Sequence, residues 1–172
     1  MKKIITFICN GNIHRSAIAE IYLNKVLKKN KLDNEFIAKS YALQGTQGTP
    51  KPLHKNLMEY PKEYKIALPI LKSFKIDITG HLYKKITPSA VEKSAVIIAM
   101  DKKTYSQAKN ALIKQFPKYK NKIHVFSEFT ENHKGIKDPF GNTSPKFHLA
   151  TIKSICLTIE DQYKNILDLA GL

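Results

Sequence analysis

Ile4-Ile5-Thr6-Phe7-Ile8-Cys9-Asn10-Gly11-Asn12-Ile13-His14-Arg15-Ser16 is the stretch whose reading decides the fold. Its first half is apolar and β-favouring, which suits a central strand buried on both faces. Its second half is a tight polar turn. A helix-period pattern follows, with Ile18, Ile21, Tyr22, Val26 and Leu27 on one stripe, Ser16 as the expected N-cap and Lys28 to Lys31 at the C-terminal end. Strand, turn and helix in this order build an anion site. Backbone N–H groups converge in the turn, and the helix N-terminus adds its positive dipole end.

Working outward, Phe36-Ile37-Ala38 reads as a second strand and 40–52, rich in Ser, Thr, Gly and Pro, as a loop. Leu53 to Leu57 is expected to start a short helix that Pro61 interrupts. Tyr64 to Phe74 has a mixed pattern with Pro69 inside it. Thr87-Pro88 is a cap followed by a proline at the first helical position. Ala95-Val96-Ile97-Ile98-Ala99 is a buried strand, and Asp101 is placed to cap a helix over 102–116. Ile123, Val125 and Phe126 mark a fourth strand. After a polar loop containing Asp138-Pro139-Phe140-Gly141, the last helix begins beyond Ser144-Pro145 and runs to about Leu169, with Phe147, Ala150, Ile155, Ile159, Ile166 and Leu169 as its apolar stripe. Strands alternating with helices predict βαβ units and a mostly parallel sheet. Such sheets bind ligands at the carboxyl ends of strands, so Cys9 and the loop holding Asp138 are expected to meet.

The chain has 172 residues, of which 42% are apolar, enough for one domain with a proper core. No apolar run reaches membrane-spanning length. Met1-Lys2-Lys3 and the apolar run after it resemble the start of a signal peptide. The run is broken at Cys9-Asn10-Gly11-Asn12 and no small-residue cleavage site follows, so it reads as a strand. The only cysteines are Cys9 and Cys156, too few for a disulfide scaffold or a four-ligand zinc site. Their use points to a reducing, cytoplasmic compartment, although export without a recognisable signal stays open. Cys156, between Ile155 and Leu157, reads as a buried structural thiol. The net charge of +15 comes from 29 Lys and Arg against 14 Asp and Glu. The lysines are spread along the chain as a solvated surface, with no aromatic-basic pattern for reading nucleic acid. The histidines form no spaced ligand cluster, and no metal or other cofactor is implied.

At Cys9 the turn amides, Arg15 and Ser16 all favour a thiolate, and a thiolate is a nucleophile. A phosphoryl group is the electrophile that benefits from the same donors, because a guanidinium holds two of its oxygens as a fork. A leaving alkoxide or phenoxide needs a proton, and Asp138 is the best candidate for general acid and then base. A Walker A ending is absent, which argues against nucleotide hydrolysis.

From Ile8 through Glu20 the chain resembles the low-molecular-weight protein tyrosine phosphatase family, whose motif is like Val-Cys-x-Gly-Asn-Ile-Cys-Arg-Ser-Pro-x-Ala-Glu. The resemblance continues through Asp77-Ile78-Thr79-Gly80-His81, Ile98-Ala99-Met100-Asp101 and Asp138-Pro139-Phe140. It implies a three-layer α/β sandwich with a four-stranded parallel sheet flanked by helices, in one domain over 1–172, with the phosphate-binding loop after the first strand. It implies Cys9 as nucleophile forming a phosphocysteine, Arg15 as phosphate clamp and Asp138 as acid. Asn10, Gly11, Asn12, Ile13, His14, Arg15 and Ser16 then form the loop, and Asn12, Ser16, His81 and Ser40 support its shape.

Four departures from the family stand out. His14 replaces a second cysteine that often protects the nucleophile as a disulfide. Ala17 replaces a proline. Phe140 is followed by Gly141 rather than a second aromatic residue, and with no tryptophan in the chain Tyr41 is the expected second pocket wall. Finally, a lysine- and tyrosine-rich insertion at about 54–71 extends the pocket rim or forms plain surface. The resemblance implies a phosphotyrosine-containing protein, or another phosphorylated ligand, as the partner. Other phosphomonoesters such as phosphoinositides or small aryl and sugar phosphates, a non-enzymatic phosphoprotein-binding module, and arsenate reduction are the alternatives. The sequence leaves the oligomeric state open.

Overall fold

The computed structural model describes residues 1–172. Four strands, β1 (Lys3–Cys9), β2 (Phe36–Ala42), β3 (Ser94–Ala99) and β4 (Ile123–Val125), form one sheet in the order β2-β1-β3-β4, with every neighbouring pair parallel. Chain order reverses beside β1: the first crossover goes to β2 on one side, the next to β3 on the other. The carboxyl end of β1, at Cys9, is therefore the switch point where an open α/β sheet leaves a crevice.

Helices α1 (Arg15–Lys29), α2 (Pro61–Ser73) and α5 (Pro145–Leu169) cover one face. Ile5, Phe7 and Cys9 project into that layer with Ile18, Leu23, Leu27, Leu71 and Ile155. The short helices α3 (Pro88–Lys93) and α4 (Leu112–Gln115) cover the other face, where Ile8, Ile97 and Ala99 meet Val91 and Leu112. The result is a three-layer α/β sandwich. Three helices start on a proline at their first turn, at Pro61, Pro88 and Pro145. The Thr87 hydroxyl accepts from the Ala90 N–H and the Ser144 hydroxyl from the Phe147 N–H, so α3 and α5 have side-chain caps. No helix is long and apolar enough to cross a membrane.

Several elements differ from the sequence reading. α1 starts at Arg15, and Ser16 lies inside it rather than capping it. β2 continues to Ala42, so Ser40 is a buried strand residue and not part of a loop; it pairs with Phe7 of β1, whose edge holds it extended. No helix forms at 53–57. A 3₁₀ turn, Leu57–Glu59, is capped there by Asn56. The helix expected over 102–116 is replaced by a π turn at Lys103–Gln107 and the four-residue α4. Asn110 breaks it, because its side-chain amide donates to the Leu43 carbonyl and the Thr46 hydroxyl. Phe126 lies in a 3₁₀ turn just past β4. On α5 the buried stripe is His148, Thr151, Ile152, Ile155, Cys156, Ile159, Ile166 and Leu167. Phe147, Ala150 and Leu169 fall outside it.

The core predicts a contrast in stability. Leu23→Ala, fully buried under the sheet, is expected to cost about 2–5 kcal/mol in urea unfolding. Leu53→Ala, exposed at the surface, is expected to stay within about 0.5 kcal/mol of the parent.

Candidate active site

The turn between β1 and α1 forms a cup whose shape depends on Asn12. Its φ of 52° lies in the left-handed region, which asparagine tolerates better than most residues. Every polar group of Asn12 is used. Its N–H donates to Cys9 Sγ at 3.2 Å. Its amide nitrogen donates to Ser16 Oγ at 3.0 Å and Ser40 Oγ at 2.8 Å. Its side-chain oxygen accepts from the Lys84 N–H at 3.0 Å. Its carbonyl accepts from His81 Nε2 at 2.8 Å, which makes that nitrogen the protonated one.

Ser16 Oγ lies 3.0 Å from Cys9 Sγ. Because it already accepts from Asn12, its own proton is free to point at the sulfur. Two donors thus converge on Cys9. Ser40 donates in turn to Glu20, whose carboxylate also lies 3.8 Å from His81 Nδ1 and 3.7 Å from Lys84 Nζ. Burial holds the His81 imidazole below the usual histidine value, against the opposing pull of the Asn12 carbonyl and Glu20.

Arg15 is 2% exposed. Its guanidinium donates through Nη1 to Asp101 and, at 2.9 Å, to the Ile136 carbonyl, and through Nη2 to Asp138 at 2.7 Å. Burial disfavours its charge, but the neighbouring Cys9, Asp138 and Asp101 outweigh that and keep it firmly protonated. Burial likewise opposes ionisation of Asp101, yet Arg15 and the Thr104 amide hold its carboxyl below the usual range. Sequence alone places Asp101 as a helix cap. It does accept from the Thr104 N–H at 2.7 Å, but it also anchors Arg15. The signal was its position just past β3, at the carboxyl end of the strand beside β1.

The cup opens into a cavity of about 400 Å³. Cys9, Asn10, Gly11, Ile13, His14 and Arg15 line its base; Leu53, Leu57, Tyr60, Glu63, Asp138 and Phe140 are among the residues of its walls. Tyr41 is not among its lining residues. It packs on the opposite face of the sheet, with Lys84 Nζ 5.5 Å from its ring centroid. The aromatic wall facing Phe140 is Tyr60, whose ring meets Phe140 edge-on with centroids 5.2 Å apart. Tyr60 comes from the lysine- and tyrosine-rich stretch, and its hydroxyl accepts from the His54 N–H at 3.1 Å. An aromatic residue immediately before the proline that starts α2 was the available signal.

His14 does not add positive charge to the cup. Burial first, then His148 and Arg15, push its pKa down to about 3. No group of three or more His, Cys, Asp or Glu side chains is arranged to hold a metal ion. Cys156 is buried in α5, remote from the cup in sequence, and burial pushes its thiol up to about 12.

A cysteine at the floor of an amide-lined turn, with a buried arginine beside it and a carboxylate at the rim, is the arrangement of a cysteine-dependent phosphatase. A sequence profile described as Low molecular weight phosphotyrosine protein phosphatase matches residues 4–170, and the chain belongs to that family. The Protein-arginine-phosphatase of Bacillus subtilis is 27% identical over 141 residues, 81% of each chain. Two crystal structures share the fold. A low molecular weight protein tyrosine phosphatase from T. tengcongensis has a TM-score of 0.72 at 22% identity, covering 95% of this chain and 99% of that one. A YwlE mutant from Bacillus subtilis has a TM-score of 0.71 at 21% identity, covering 96% and 99%.

The buried imidazoles give a pH prediction. Between the ordinary histidine value of 6.5 and about 3, the unfolded chain binds a proton that folded His14 refuses. Stability therefore falls as pH falls through that window, by up to about 1.4 kcal/mol per pH unit for each such proton. His81 contributes in the same direction. Urea midpoints measured from pH 7 to pH 5 are expected to drop in the parent and to drop less steeply in His14→Leu.

Proposed function

We propose that this protein hydrolyses phosphotyrosine through a phosphocysteine on Cys9. The observation that supports it is the apolar wall above the cup, made by Leu53, Leu57, Tyr60 and Phe140. A phenyl ring gains by leaving water against such a wall, whereas a short phosphoseryl side chain does not reach it.

In this reading Cys9 Sγ attacks phosphorus while the ester P–O bond breaks. Arg15 and the turn amides of 10–16 take up the charge on the non-bridging oxygens. Asp138 gives its proton to the departing phenolate oxygen. In the second step the Asp138 carboxylate takes a proton from water, the water oxygen attacks phosphorus, and the S–P bond breaks to return the thiolate and release inorganic phosphate. Asp138 shares Arg15 Nη2. A dianion competing for the guanidinium frees that carboxyl to turn toward the leaving oxygen. Asn12, Ser16, Ser40 and His81 act by holding the turn in shape.

One observation favours a second substrate, phosphoarginine. Glu63 lies among the pocket walls, where a carboxylate would pair with a guanidinium, and one relative is named a protein-arginine-phosphatase. Arsenate reduction has little support, because it requires a resolving thiol and the only other cysteine is buried in α5.

Peptides bearing phosphotyrosine, phosphoarginine and phosphoserine distinguish these readings when kcat/KM is measured for each. Preferential cleavage of phosphotyrosine is expected, with Cys9→Ser inactive and Asp138→Ala slowed by about 10²–10⁴. Preference for phosphoarginine, lost in Glu63→Gln, would establish the second reading. Tight phosphopeptide binding without any turnover would make the cup a reader rather than an enzyme.

A further inference from the structure

Beside the cup lies a pair of imidazoles that the chemistry above leaves unused. His14 belongs to the turn itself, and His148 to the first turn of α5. Both are buried, at 7% and 0% exposed, and their rings meet edge-on with centroids 5.6 Å apart. Both ring nitrogens of His14 and Nδ1 of His148 are buried without a hydrogen-bond partner. Unpaired buried polar atoms are costly and call for a reason. The one bonded nitrogen of the pair points to the role: His148 Nε2 lies 2.7 Å from the Asn142 carbonyl oxygen, so it carries the proton and donates.

Asn142 belongs to the turn that closes the Asp138 loop. Its N–H donates back to the Pro139 carbonyl at 3.0 Å, and Pro139 is the neighbour of Asp138. Apart from Pro139, residues 137–144 are exposed or half-buried. The loop therefore has few apolar contacts of its own, and His148 is a buried anchor for it with its other edge resting on the cup.

We propose that His148 is a positioning residue for the acid loop: its Nε2–H holds the Asn142 turn while its ring packs on His14, and together these contacts set the place of the Asp138 carboxyl relative to Cys9. The proposal rests on reading Asp138 as the general acid. His14 suits the role as a neutral, rigid platform, since a charged imidazole there would repel Arg15.

The test uses two substrates that differ in their need for a proton. A phosphotyrosyl peptide releases a phenol of pKa about 10 and needs the acid; 2,4-dinitrophenyl phosphate releases a stable phenolate and does not. His148→Leu is expected to lower kcat/KM on the peptide by about tenfold or more and on the aryl phosphate by less than about twofold. His148→Met, also without a donor, serves the same purpose if the leucine variant does not fold. His148→Gln, whose amide N–H can reach toward the Asn142 carbonyl, is expected to recover most of the loss. In an Asp138→Asn background His148→Leu should cost nothing further, because the group it positions is already gone. Equal losses on the two substrates, or a full additional loss in the Asp138→Asn background, would overturn the proposal. If Asp138→Asn itself fails to discriminate between the substrates, the acid reading fails and takes this proposal with it.

Discussion

The structure depends on one residue forced into an uncommon backbone shape. Asn12 turns left-handed at the end of the central strand, and five hydrogen-bond partners from four parts of the chain hold it there. Ser16 lies in the following helix, Ser40 in the neighbouring strand, and His81 and Lys84 in the segment before α3; the fifth is Cys9 itself. Without those bonds the turn has no reason to aim its amides inward. With them, a strand end, a helix start and a sulfur share one small volume. The parallel sheet matters to function because it brings these distant segments to one strand end.

The second organising constraint is a buried charge. A guanidinium taken out of water is tolerated only when its donors are met, since breaking a buried charged pair typically costs about 3–5 kcal/mol. Arg15 meets its donors with Asp101 just past β3, and with Ile136 and Asp138 from the loop after β4. The 130–144 loop has little apolar content to dock it; Ile136 is its main buried hydrophobe. Much of its placement therefore comes from the same arginine that a phosphoryl group would contact. Structure and chemistry are coupled at this residue.

The strand–turn–helix unit is legible because local pattern and tertiary role agree there: β1 is apolar apart from Lys3 and Thr6, and the turn residues have few other uses. Ser40 reads as a loop residue in sequence because it opens the Ser-, Thr-, Gly- and Pro-rich run over 40–52. It is a strand because β1 pairs with it, and its hydroxyl is consumed by Asn12 and Glu20. The helix expected over 102–116 has good helix formers, but Asn110 is pulled toward the Leu43–Thr46 turn by bonds that no local window reveals. Tyr60 and Tyr41 illustrate a further limit. Tyr41 lies within β2 and Tyr60 just before α2, and only the direction each side chain takes, set by sheet alternation for Tyr41 and by the start of α2 for Tyr60, decides which one reaches the pocket. His148 could not be found by pattern at all. It lies in the apolar register of a helix, and only its ring partner and the Asn142 carbonyl distinguish it from an ordinary core residue.

The central claim is that a phosphoryl group passes through the sulfur of Cys9. The direct measurement is acid quenching of the Asp138→Asn variant during turnover of an aryl phosphate, followed by proteolysis and mass spectrometry of the peptide that carries Cys9. That variant lacks the base for the second step, so the intermediate accumulates. The account predicts one added phosphoryl group on Cys9, and none on the corresponding peptide when Cys9 is replaced by alanine. Continued turnover with the phosphoryl group on His14 or His148, or on no residue at all, would contradict it.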